Sequence, residues 1–137
     1  MKKLLISLIV TVLATSISLA DIKNHATEIS EHAREKVALA KLKSSPNTVQ
    51  VYAKGLICES CGLGVRKKLQ KLKFVDTSKP KKGIVMDVKS QLVSITLKQR
   101  QSADEEAIKK AIKGAGYDPM YLYELDGKKL KSVSLQD

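Results

Sequence analysis

Between Thr48 and Leu125 the apolar residues change period in a fixed order, and that order constrains the fold more than any other feature. Val49, Val51 and Ala53 alternate with Gln50, Tyr52 and Lys54, the pattern of a half-buried strand. Ser60 to Leu72 then places Val65, Leu69 and Leu72 on one helical stripe, with Arg66, Lys67, Lys68 and Lys71 outside. After a loop holding Ser78, Pro80 and Gly83, the residues Ile84, Met86 and Val88 alternate again. Lys89-Ser90-Gln91 supplies a turn, and Val93, Ile95 and Leu97 form a partner strand. Ser102-Ala103-Asp104-Glu105 has the form of a capping box with Ser102 at the N-cap. The helix it opens turns Ala107, Ile108, Ala111 and Ile112 inward and stops near Gly114 or Gly116. Pro119 precedes a last apolar run, Met120 to Leu125. The order β-α-β-β-α-β predicts an α+β, ferredoxin-like unit with two helices on one face of the sheet. About 75 residues arranged this way bury a small but adequate core.

The flanks are of a different kind. Lys2 and Lys3, the apolar run Leu4 to Leu13 and the small residues Ser18 and Ala20 have the layout of a secretory signal over residues 1–20. Cleavage would release an exported, periplasmic protein; an uncleaved segment would anchor it, although the run is short for a span. Asp21 to Lys43 lacks Gly and Pro and repeats Ile22, Ala26, Ile29, Ala33, Val37 and Leu42 at near-helical intervals. Residues 21–45 therefore read as a helical extension or linker, with a thin stripe that docks weakly or leaves it mobile, ending before Ser44-Ser45-Pro46-Asn47. The domain follows over 46–125. Asp126-Gly127 then offers a hairpin turn for the tail, 126–137.

The formal charge is +11, with lysines gathered at Lys67-Lys68, Lys71, Lys73, Lys79 to Lys82 and Lys128 to Lys131. Export argues against nucleic acid as the partner, and only Phe74 and four tyrosines could stack on bases. A solvated basic face is the plain reading. The functional one is weak electrostatic contact with an anionic membrane surface or an acidic partner.

Cys58 and Cys61 are the only cysteines, placed where the first strand hands over to the first helix. A bridge across three residues closes a tiny loop and removes little entropy from the unfolded chain, so it is a poor staple. The spacing suits redox or metal chemistry better. Cys58 is expected in the loop and Cys61 in the first helical turn, where backbone N–H groups lower a thiol's pKa. Two converging thiolates suit Cu(I) or Hg(II), which accept few ligands. Zn(II) fits worse, because its structural sites take four ligands and the domain from Thr48 onward has no histidine. His25 and His32 share one face of the extension and would add ligands only if that helix folded over the site.

Strand, Gly55-x-x-Cys58-x-x-Cys61, helix, two strands, helix and Ala115-Gly116-Tyr117 resemble the heavy-metal-associated domain over residues 48–124. That family includes copper chaperones, the N-terminal modules of metal-pumping ATPases and periplasmic mercuric-ion-binding proteins. The resemblance implies metal-ligand roles for Cys58 and Cys61 and a shielding role near the metal for Tyr117. Gly55 and Leu56 take supporting positions, Leu56 standing where the family usually has Met. Ile57 replaces a usual small or polar residue, and the connection Phe74 to Gly83 is longer than usual.

These readings make the chain a non-enzymatic carrier that holds Cu(I), or Hg(II), through its dithiolate. It would pass the ion to a metal-transporting membrane protein or to another metal carrier. Copper is favoured over mercury as the commoner biological need. A thiol–disulfide redox protein using the same pair is the rival, although thioredoxin-like proteins use a longer core and a cis-proline. A metal-responsive adaptor acting through the 21–45 helix is the third class. Hydrolytic catalysis has no support in the absence of a Ser-His-Asp constellation.

Overall fold

Residues 28–137 are described by the computed structural model. The expected signal segment 1–20, residues 21–27 of the extension and His25 lie outside them. Helix α1 (Glu31–Ser44) precedes β1 (Thr48–Lys54), α2 (Leu63–Leu69), β2 (Ile84–Asp87) and β3 (Leu92–Thr96). Then come α3 (Glu105–Lys113), β4 (Asp118–Asp126) and β5 (Lys129–Ser134). The five strands form one antiparallel sheet in the order β2-β3-β1-β4-β5. Its first four strands carry the ferredoxin-like topology that the apolar periods predict. No helix among the described residues is long and apolar enough to cross a membrane.

Strand alternation sorts the side chains into two cores. Val49, Val51 and Ala53 join Ile84, Met86, Val93, Ile95 and Leu122 beneath α2 and α3, which contribute Val65, Leu69, Ile108 and Ile112. The intervening residues Tyr52, Leu92 and Tyr123 face the other way and pack against Ala38 and Leu42 of α1. The sheet is thus covered on both faces, where the sequence pattern suggested a single helical layer.

The extension departs from expectation in start, stripe and docking. The chain is not helical at Glu28–Ser30. Ser30 is the N-cap of α1, its hydroxyl accepting from the Ala33 N–H at 3.3 Å, and that cap starts the helix here. The buried stripe is Arg34, Ala38 and Leu42, rotated from the expected apolar one, because a buried arginine leads it. The Arg34 guanidinium lies 3.6 Å over the Tyr52 ring. Its Nε donates to the Ser90 carbonyl at 3.0 Å, and Nη2 donates to the Ile29 carbonyl at 3.2 Å and to Glu28 Oε1 at 3.4 Å. With Leu42 1% exposed, worth about 1.5–3 kcal/mol for one side chain, α1 docks firmly.

Two other boundaries shift. Helix α2 is shorter than the expected Ser60–Leu72, and Asp104, not Ser102, caps α3 by accepting from the Ala107 N–H at 3.0 Å. Beyond the Asp126-Gly127 turn, β5 pairs along β4 from Tyr121↔Ser134 to Asp126↔Lys129. Leu135 then enters the core under α3, and the Asp137 carboxylate binds Lys109 at 2.6 Å and also Lys113.

The α1 interface carries a pH signature. A hydrogen bond from Tyr52, assisted by Arg34, holds the Glu28 carboxyl below its ordinary value of 4.5. Burial, reinforced by Glu28, pushes Tyr52 up to about 12, and burial does the same to Tyr123. A depressed carboxyl stabilises the fold above pH 4.5, and that contribution disappears as pH falls through its lower folded value. A raised phenol stabilises it below pH 10, and that contribution disappears as pH rises from 10 to 12. The urea midpoint should therefore fall on both sides of a plateau. Tyr52→Phe should shallow the acid limb and leave about half the tyrosine-dependent alkaline limb, Tyr123 supplying the remainder; an unchanged profile would refute the assignment.

Candidate metal centre

At the end of β1 the chain turns at Gly55, whose φ of +91° is in the range glycine adopts without cost. Gln91 from the β2–β3 turn fixes this point. Its carbonyl accepts from the Ala53 N–H at 3.0 Å and its side-chain Oε1 from the Gly55 N–H at 3.3 Å. Leu56 follows, fully buried, and pins the base of the loop to the core. Ile57 next to it is 71% exposed, so the chain leaves the core within one residue of entering it.

Cys58 is half-buried and Cys61 exposed. Their Cα atoms are 5.3 Å apart and their sulfurs are joined as a disulfide. Cys61 lies in a turn before α2 and not in its first helical turn: Gly62 is the N-cap and Leu63 the first helical residue. The Cys61 N–H donates to Cys58 Sγ at 3.1 Å, and the Ser60 hydroxyl lies 3.4 Å from the same sulfur.

Gly62 and Met86 are the functional neighbours that sequence reasoning missed. A Cβ on Gly62 would sit 2.2 Å from Met86 Sδ and 3.0 Å from Leu56 Cδ1. The thioether, buried on β2, thus supports the backbone directly after Cys61. Nothing local signals this contact, since 24 residues separate the two positions. Gly62→Ala should cost about 1–3 kcal/mol by overpacking. Gly62→Ala with Met86→Ala should recover part of that loss in urea unfolding, whereas strict additivity of the two changes would show that they do not touch.

Tyr117 is half-buried immediately before β4, its ring 3.7 Å from where a Gly55 Cβ would stand. It therefore supports the turn that leads into the cysteine loop. His32 is exposed on α1, and no group of three or more His, Cys, Asp or Glu able to hold a metal ion occurs among the described residues. Among the described residues the candidate donors at this loop are the two sulfurs. Two sulfur donors suit a soft ion of low coordination number.

The heavy-metal-associated domain family matches residues 50–118, half of the chain, spanning β1 to the first residue of β4 with the cysteine loop inside. The protein belongs to the heavy-metal-associated domain family. No curated protein and no solved structure matches the chain. Membership accounts for β1, α2, β2, β3, α3 and a domain suited to heavy-metal binding. Helix α1 and strand β5 are additions of this heavy-metal-associated protein outside the matched region.

Proposed function

We propose that the protein is an exported, non-enzymatic carrier that holds Cu(I) between Cys58 and Cys61 and hands it to a partner. Hg(II) is the second candidate cargo, with the same demand for two soft ligands. The supporting observation is the paired sulfurs, half-buried at Cys58 and exposed at Cys61, with no further ligand cluster among the described residues. An ion held by only two ligands stays open to an incoming thiolate. Transfer then proceeds through a shared three-sulfur intermediate, the partner's sulfur binding before Cys58 or Cys61 leaves. A metal-transporting membrane protein or a second carrier is the fitting acceptor, and Tyr117 limits solvent access from the Gly55 side.

The closed disulfide favours a second reading, a thiol–disulfide redox protein that uses the same pair. Native mass spectrometry of the reduced protein, titrated in turn with Cu(I), Hg(II) and Zn(II), separates the two. One Cu(I) or Hg(II) per chain, with zinc not retained, is the expected result. Failure to retain any of the three, with the thiols closing and insulin reduction surviving chelators, would replace the carrier with the redox reading.

A further inference from the structure

We propose that the end of the domain opposite the cysteine loop is a docking surface for anionic phospholipid, which holds the dithiol facing away from the bilayer. Strand β1 runs from one end to the other. Its seven residues separate the two ends by about 20 Å at ~3.3 Å per residue. At its start the Asn47 carbonyl accepts from the Leu97 N–H at 2.7 Å, and the Phe74 carbonyl accepts from the Lys98 N–H at 2.8 Å. The Thr96 carbonyl accepts from the Asp76 N–H at 2.8 Å. These bonds draw two segments distant in sequence, 73–83 and 97–101, onto one end. Together they bring Lys73, Lys79, Lys81, Lys82, Lys98 and Arg100, all exposed.

Asp76 is the only acid in those two segments, and it is occupied in accepting from the Ser78 N–H and hydroxyl. Asp104, Glu105 and Glu106 flank the surface at the start of α3, and Asp104 is occupied as the cap. The cysteine end carries Lys54, Lys89 and Lys113 against Glu28, Glu59, Asp87 and Asp118 and is close to balanced. The polarity of charge is therefore a property of the fold.

The backbone adds an independent observation. Lys81 and Lys82 stand consecutively in left-handed conformations, with φ of 53° and 56°, where glycine or asparagine would be comfortable. Gly83 follows at +74°, and a Cβ there would meet the Asp76 carbonyl at 2.4 Å. Two lysines kept at strained positions on a compact turn point to use of their charge.

Lipid fits better than the other polyanions. Five of the six cations are lysines, point charges suited to a diffuse plane of phosphates and lacking the fork geometry of arginine. Phe74, the one aromatic residue of the two segments, is buried, so no platform exists for stacking bases. The exposed large apolar residues Ile57, Leu63 and Val85 all lie outside the two segments, which leaves no apolar anchor there for a protein. A separation of about 20 Å exceeds two Debye lengths at physiological salt, so negative lipid does not oppose the thiolates.

Partition of the full chain would be measured on vesicles of phosphatidylglycerol with phosphatidylcholine and on phosphatidylcholine alone. The ratio of the two cancels contributions common to both surfaces. Three lysines near an anionic surface contribute enough for K79Q/K81Q/K82Q to lower that ratio about a hundredfold, and high salt should collapse it in the parent. K36Q/K54Q/K89Q, with the same change in net charge, should lower it less than about fivefold, the residual long-range effect being screened. Reduced Cys58 and Cys61 should react with a water-soluble maleimide equally fast on vesicles and in solution. An equal fall in both triple variants, cysteines protected by the vesicle, or binding to heparin with no preference for anionic vesicles would each overturn the proposal.

Discussion

Replacing Cys58 with serine should abolish retention of a soft metal, and Cys61→Ser should do the same. Four-ligand structural zinc sites bind with about 10–16 kcal/mol, or about 3 kcal/mol per ligand, which makes loss of one sulfur worth at least about a hundredfold in affinity. In a two-sulfur site the surviving thiolate also loses its chelate partner, so the fall is larger still. The check is competition against a colorimetric Cu(I) chelator at fixed pH. Because each ligating thiol must shed a proton, affinity in the parent should rise with pH, and more steeply than in either variant. The oxidised parent, its sulfurs joined as in the structure, should bind nothing until reduced. Tight binding in either serine variant would remove these residues from the site.

Arg34→Ala should be the most damaging single change on the α1 face, lowering stability by about 2–4 kcal/mol. The figure combines a cation–π contact of about 0.5–2 kcal/mol with a Ser90 carbonyl left without its buried donor, about 1–3 kcal/mol. Arg34→Lys should recover only part of this, because an ammonium cannot stack flat on Tyr52 while reaching both Ser90 and Ile29. Urea unfolding of the reduced protein reads the loss directly. A change below about 0.5 kcal/mol would mean that Ala38 and Leu42 alone hold the helix.

The sheet and its two covering helices were legible because each element states its period within a few residues. Val49-Val51-Ala53 and Ile108-Ala111-Ile112 need no partner to be read. The cysteine pair was legible for the same reason, being wholly local. What escaped the sequence depends on contacts between distant segments. The stripe of α1 was misplaced because a guanidinium that finds Tyr52, Ser90 and Ile29 can be buried, and periodicity of apolar residues does not count it. The helix after the cysteines was read too long because Val65, Leu69 and Leu72 keep one spacing whether or not the backbone closes helical bonds at both ends. Met86 beneath Gly62 and Gln91 beside Gly55 are likewise encounters made only once the sheet has formed.

Strand β5 has a consequence for behaviour at high concentration. By pairing along β4 it moves the border of the sheet from an apolar strand to one bearing Lys129 and Lys131, whose charges repel a second copy approaching in register. The opposite border, β2, offers only four residues, too short a template for a lasting strand addition. Both margins of the sheet are therefore poor templates for edge-to-edge pairing between copies, even when the chains are crowded together.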